Sequence, residues 1–122
     1  PVGLITDGIL HSNNTRDTEH DKRANIKTFA MLIGGRASTI LYLLEVLLPF
    51  VWVIAGIIEG IFPIISLLTL IALKPAIDNA RKALKYIRVG AKALHGMDEA
   101  TAKLQLIFSL LFTISLFIAA LI

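Results

Sequence analysis

S-T-I-L-Y-L-L-E-V-L-L-P-F-V-W-V-I-A, Ser38 to Ala55, is the run that decides the fold. Its length is close to the roughly 20 residues that a helix needs to cross the hydrocarbon core of a bilayer. It is expected to be the first full transmembrane helix of the chain. Pro49 removes one backbone donor and predicts a kink, which a neighbouring helix can accommodate. Glu45 is an ionisable group inside the span, where charge is costly. It reads either as a cavity-lining group or as a hydrogen-bonded carboxyl facing another helix. Lying a few turns beyond the polar stretch described below, it stays outside the candidate site.

Composition points the same way. Hydrophobic residues make up 56% of the 122, and the mean hydropathy is +0.76, whereas a soluble domain averages about 45 to 50% apolar even with glycine counted. The chain has no cysteine, which excludes disulfide frameworks, thiolate nucleophiles and cysteine-based zinc sites. A net charge of +3 could point to nucleic acid, but its placement does not. All twelve Lys and Arg residues fall in Arg16 to Arg36 or in Lys74 to Lys103. That is the pattern of membrane loops, so no nucleic-acid partner is expected. The start of the chain shows no basic segment followed by a short apolar run, and so no signal peptide.

Toward the C-terminus, Gly56-Ile-Ile-Glu-Gly60 breaks the apolar run with two glycines and a charge, and reads as a tight turn in preference to a helix-packing GxxxG. Ile61 to Leu73 then returns across the membrane, borrowing Ile57 and Ile58 or continuing past Pro75, with Pro63 well placed for a helix N-terminus. Residues 37–73 are thus expected to form a transmembrane helical hairpin. In 74–103, Ala76, Ala80, Ala83, Leu84, Ile87, Ala91 and Leu94 follow helical spacing. Arg81, Lys82, Lys85, Arg88 and Lys92 occupy the other faces, which describes a basic amphipathic cytoplasmic segment at or rising from the membrane surface. Residues 104–122 are the last span. Its Gln105, Ser109 and Thr113, spaced i, i+4, i+8, predict a packed face.

Toward the N-terminus, residues 1–12 read as the end of a truncated transmembrane helix. His11 there reads as a hydrogen-bonded structural histidine more than as a contact to substrate. Residues 13–36 hold N-N-T-R-D-T-E-H-D-K-R-A-N-I-K-T, where acids, bases and amides are packed together. Asn13, Asp17 and Asp21 lie at i, i+4, i+8, so on a helix they form one oxygen-rich stripe. Two carboxylates, an amide and no thiolate suit Mg²⁺, which takes one or two carboxylates, several waters and the phosphates of a substrate. Arg16, Lys22, Arg23 and Lys27 around the stripe can neutralise its acids or donate to phosphate oxygens. The same spacing also fits a solvated charged turn between two helices, where like charges at i,i+4 cost only a few tenths of a kcal/mol. His20, inside the stretch, reads as solvated.

I-L-H-S-N-N-T-R-D followed by D-K-R-A and I-K-T-F-A-M-L-I-G resembles the second aspartate-rich motif of the UbiA superfamily of intramembrane prenyltransferases. N-N-x-R-D-x-x-x-D is most similar to its menaquinone-type branch, and T-A-K-L, Thr101 to Leu104, opens the final span as in the same group. The family also carries an earlier motif of the N-D-x-x-D type, which this sequence lacks, so the chain resembles the C-terminal portion of such an enzyme.

The resemblance implies an all-α, polytopic transmembrane helix bundle with the aspartate-rich motif on the cytoplasmic side. It also implies Mg²⁺-dependent transfer of a prenyl group from an isoprenyl diphosphate to an aromatic quinone precursor or other lipophilic acceptor. Asn13, Asp17 and Asp21 would hold the metal, with Asp17 and Asp21 the essential pair. Arg16, Lys22, Arg23 and Lys27 would bind the diphosphate or hold the carboxylates. The missing N-terminal helices would be a necessary partner, and membrane lipid the surroundings. The alternative is a non-catalytic membrane protein whose basic amphipathic helix binds anionic lipid.

Overall fold

The computed structural model describes residues 1–122 and is all-α, with no strand. Five α-helices follow in order: α1 (Val2–Arg16), α2 (Thr18–Arg23), α3 (Phe29–Ile58), α4 (Leu73–Val89) and α5 (Met97–Leu121). Two 3-10 segments, Ile64–Ala72 and Gly90–Leu94, precede and follow α4. Only α3 and α5 are both long and apolar enough to cross a membrane.

Helix α3 is longer than the run from Ser38 to Ala55 on both sides. Its one departure from helical dihedrals is at Gly34, φ 80 and ψ 162, a left-handed value that glycine adopts without a Cβ penalty. The expected irregularity at Pro49 is therefore displaced: the dihedrals stay helical through the proline, which is itself buried. The next residue, Gly35, matters for a different reason. A Cβ there would lie 2.6 Å from Cε1 of Tyr86, so the glycine lets α4 approach α3 closely.

Buried positions on α3 include Ser38, Tyr42, Glu45, Val46, Pro49, Phe50, Val53 and Gly56, a stripe of three- and four-residue steps. Those of α5 are Met97, Thr101, Leu104, Phe108, Phe112 and Ser115. The two stripes meet in an aromatic seam. Phe50 stands edge-on to Phe108 at 5.2 Å, Phe62 edge-on to Phe112 at 5.1 Å, and Phe108 stacks on Phe112 at 6.1 Å. The packed face of α5 is thus not the one expected from Gln105, Ser109 and Thr113. Gln105 and Ser109 are only partly buried and Thr113 is exposed. Ser109 satisfies its own hydroxyl on the Gln105 carbonyl, and so needs no partner helix.

The chain leaves α3 by a turn in which Ile61 N–H and Phe62 N–H both donate to the Gly56 carbonyl, with Gly60 left-handed at φ 72. A Cβ on Gly56 would sit 2.3 Å from Phe62 Cδ2, so this glycine is the seat of the returning aromatic ring. The return begins as a 3-10 segment and becomes α-helical only at Leu73. Nine residues at about 2.0 Å and seventeen at about 1.5 Å give the return a length of roughly 44 Å, of which only the 3-10 part carries no charged residue. Helix α4 accordingly packs Ala76, Asn79, Ala80 and Ala83 into the bundle. Leu84 and Ile87, expected on that buried side, are 47% and 45% exposed, because the small residues carry the close contact. Arg81, Lys82, Lys85 and Arg88 face outward.

Helix α1 buries Ile5, Gly8, His11, Ser12 and Thr15 against α3 and α5. His11 Nε2 donates to the Ser38 carbonyl at 3.1 Å, since a carbonyl can only accept, which makes it the structural histidine that the sequence implied. Its Nδ1 lies 3.8 Å from Glu45 Oε1. Glu45 is 2% exposed, and it faces α1 rather than an open cavity.

Candidate functional site

The polar stretch sits where α1 ends and α2 begins. Asp17 occupies the joint, with φ −91 and ψ 10, at the edge of the helical region. The register nevertheless continues, because Asp17 N–H donates to the Asn13 carbonyl and Asp21 N–H to the Asp17 carbonyl, each at 2.9 Å. Asn13, Asp17 and Asp21 therefore remain on successive turns of one ladder, as their spacing implied. Helix α2 is closed by Asn25, the one non-glycine residue with positive φ, at 62°. Ile26 N–H donates to the Asp21 carbonyl and Asn25 N–H to the Lys22 carbonyl, the 6→1 and 5→2 bonds of a Schellman stop. The backbone of Asp21 is thereby fixed from both ends.

Arg16 is the residue that ties the group together. Its Nε donates to Asp17 Oδ1 at 2.8 Å and its Nη2 to Asp17 Oδ2 at 3.0 Å, a bidentate grip. Nη2 also donates to Asn13 Oδ1. Nη1 reaches Asp98 Oδ1 at 3.1 Å, on the first turn of α5. The hydrogen bond from Arg16 holds the Asp17 carboxyl below its ordinary range, so it is ionised at neutral pH. The same bond to Asp17 raises the guanidinium further above its already high value.

The structure thus brings Asn13, Arg16 and Asp17 into direct contact and leaves Asp21 one turn away. Asp21 lies 4.0 Å from the exposed His20. Lys22, Arg23 and Lys27 are exposed and form no ion pair. Of the four bases, Arg16 alone holds carboxylates. Asp98 is the member that the sequence reading passed over. It lies 82 residues from Arg16, and its only signal was an acid placed beside a basic segment, in the first turn of an apolar helix.

Donor chemistry decides whether these residues fit a metal. No group of three or more His, Asp or Glu side chains could close a cage around an ion. Two carboxylates and an amide on adjacent turns fit Mg²⁺, which completes its shell with water and phosphate oxygens, and not a closed Ca²⁺ or zinc site.

A contact between α3 and α5 fixes the helix that carries Asp98. Tyr42 hydroxyl contacts Thr101 Oγ1 at 2.6 Å. Thr101 spends its one proton on the Met97 carbonyl, so Tyr42 is the donor. The T-A-K-L run therefore begins with a residue that fixes α5 to α3 just below Asp98.

No family model matches the sequence, and no solved structure matches it. Curated proteins do. The chain is 34% identical over 116 residues to the UbiA prenyltransferase domain-containing protein 1 homolog of Drosophila melanogaster, covering 94% of this chain and 30% of that protein. To the UbiA prenyltransferase domain-containing protein 1 of Rattus norvegicus it is 35% identical over 120 residues, and to that of Homo sapiens 34% over 119. Each of these covers 98% of this chain and 33% of the relative, so the chain spans about a third of the length of the curated relatives it matches. With an all-α fold, two helices apolar enough to cross a membrane and this similarity along nearly its whole length, the chain is a membrane protein that belongs to the family of UbiA prenyltransferase domain-containing proteins.

Proposed function

We propose that this chain supplies the second aspartate-rich motif of an intramembrane prenyltransferase, which transfers a prenyl group from an isoprenyl diphosphate to an aromatic quinone precursor or other lipophilic acceptor. The observation that carries the proposal is the oxygen stripe of Asn13, Asp17 and Asp21, held in register by backbone bonds at the end of an apolar bundle, with unpaired bases beside it.

Each group has a role set by its chemistry. Asn13, Asp17 and Asp21 would hold Mg²⁺ directly or through water, and the ion would supply charge neutralisation to a leaving diphosphate. Before the ion binds, Arg16 keeps Asn13 and Asp17 oriented and offsets the Asp17 charge. Lys22, Arg23 and Lys27, free of carboxylate partners, are available to diphosphate oxygens that the metal leaves uncovered. The prenyl chain needs only apolar surface, which α3 and α5 offer in quantity through exposed Leu44, Val51, Trp52, Leu106, Leu110 and Phe117. Enclosing that chain and an acceptor needs more helices than these, so the remaining helices of the enzyme are a required partner.

A second reading rests on the outward face of α4. Arg81, Leu84, Lys85 and Arg88 line a surface groove of about 190 Å³, a shape and charge suited to an anionic lipid headgroup. We take this as the lipid contact of the enzyme rather than its purpose.

One experiment separates the two. Membranes carrying the complete enzyme are titrated with a labelled isoprenyl diphosphate in the presence and absence of Mg²⁺. Binding that requires Mg²⁺ and the aspartates supports the transferase. Binding of anionic vesicles that needs Arg81, Lys85 and Arg88, with no Mg²⁺-dependent diphosphate binding, favours the lipid adaptor.

A further inference from the structure

Arg16 makes four hydrogen bonds, three of them to the oxygens that a metal in the proposed site would use. The fourth goes to Asp98 and is different in kind. It comes from another helix, and Asp98 is bonded to no other side chain. A cation that takes oxygens of Asn13 and Asp17 competes for them with the guanidinium, a like charge already held on all three. A guanidinium cannot give up its proton at any accessible pH, so it must keep a partner or be left uncompensated. The Arg16 side chain is 25% exposed, and that of Asp98 33%, so water supplies only part of what is lost.

We propose that Asp98 is a positioning residue for the aspartate-rich motif: it anchors the Arg16 guanidinium from α5, so that Arg16 can release Asn13 and Asp17 to a divalent cation without being stranded. Arg16 then acts as the resident cation of the empty motif, and Asp98 as the place where it stays when a metal arrives. The anchor is built into the fold. Gly96, left-handed at φ 68, turns the chain into α5, and Thr101, held by Tyr42, fixes the first turns of that helix against α3. Asp98 therefore stands at a set height beside the joint at Asp17.

The inference rests on the metal reading above, and the test keeps the two apart. Mn²⁺, a paramagnetic stand-in for Mg²⁺, is titrated into the complete enzyme without substrate, and free ion is measured by electron paramagnetic resonance. Asp98→Asn should weaken Mn²⁺ binding about threefold, the scale of a partly exposed ion pair. Asp98→Glu should restore most of it.

Loss of a nearby negative charge would by itself weaken the cation, so the decisive arm is Arg16→Gln. In that background there is no guanidinium to anchor, and Asp98→Asn should change Mn²⁺ affinity by less than its effect in the wild type. An equal loss in both backgrounds, or no loss in either, overturns the role of Asp98. Failure of the wild type to bind Mn²⁺ at all overturns the metal reading with it. If Asp98→Asn does not fold, the Asp98→Glu and Asp98→Ser variants, checked by thermal melting, carry the same comparison. In turnover, the apparent Mg²⁺ requirement should rise with kcat at saturating Mg²⁺ preserved, a split that a general loss of structure does not produce.

Discussion

Asp17 and Asp21 differ in their surroundings, and so should their variants. Asp17 is gripped by Arg16, whereas Asp21 has only the exposed His20 nearby. In the complete enzyme, Asp17→Asn and Asp21→Asn should each remove most turnover, because each takes a formal charge from a site that must hold a divalent cation against a diphosphate. Asn13→Ala should be milder, since it removes a neutral oxygen. Turnover within about twofold of wild type for both aspartate variants at limiting Mg²⁺ would identify the stretch as a solvated turn. The Arg16–Asp17 bond carries its own pH signature. The Asp17 carboxyl is held below its ordinary value, so the contribution of this pair is complete above the ordinary carboxylate range and fades as pH falls through the lowered one. Carboxyl carbon chemical shifts across an acid titration should show Asp17 titrating below the ordinary carboxylate range. At this scale the sequence was informative wherever partners are a turn apart, since helical spacing alone aligns Asn13 with Asp17 and Asp21. Asp98 was not legible, because nothing local encodes a partner that the fold brings in from another helix.

Helices were legible to the extent that their periodicity is unambiguous. The run from Ser38 to Ala55 reads as a span from apolarity and length, yet its extension back to Phe29 passes through a double glycine that a linear reading treats as an end. Within the apolar run Ile64–Ala72, Ser66, Thr69 and Ala72 recur every three residues and are the buried positions, so the 3-10 period is written in the run, but in too few residues to stand out from a 3.6-residue repeat. The glycines are the sharpest test at this scale. Gly56→Ala places a methyl within 2.3 Å of a ring carbon of Phe62, and that ring is held in turn against Phe112. The strain of overpacking should lower stability by about 1 to 3 kcal/mol. Thermal melting of Gly56→Ala, Phe62→Ala and the double variant checks this, with the double variant less destabilised than the sum. An additive result would mean that the ring does not rest on Gly56. Asn25→Val should be costly for a separate reason, since a β-branched residue resists the left-handed conformation that closes α2.

On the scale of the molecule, the motif, the start of α5 and the end of α4 gather at one end. Arg16 meets Asp98 there, and Gly35 lies against Tyr86. Glu59 and the Phe62–Phe112 contact lie at the other. We expect both basic segments on the cytoplasmic side and Glu59 opposite. Single cysteines at Asn25, Glu59 and Lys92 should label with an impermeant reagent in a pattern that separates Glu59 from the other two; equal labelling of Glu59 and Lys92 from the cytoplasm refutes the arrangement. We also expect the 122-residue chain alone, given Mg²⁺, an isoprenyl diphosphate and an aromatic acceptor, to yield no prenylated product, and co-expression with the remaining helices to restore it. Product from the chain alone would point to a homodimer with two stripes face to face.

Helix α5 buries one stripe in the core and leaves the rest of its apolar surface open, with only 17% of its most apolar stretch buried. It is nevertheless joined to the bundle by hydroxyls at two heights, Tyr42 to Thr101 near one end and Ser66 to Ser115 near the other. Ser115 spends its proton on the Phe112 carbonyl, so Ser66 must donate, just as Tyr42 does. In water, a freed hydroxyl finds another partner at once; in hydrocarbon the Tyr42 hydroxyl, too far from its own backbone to bond it, finds none. A slide of α5 by one residue, about 1.5 Å along its axis with a turn of about 100°, would break both bonds together. The pair therefore acts as a vernier: two marks, fourteen residues apart on one rod, that agree at a single setting and so give a helix packed along one stripe a single height and rotation in the membrane.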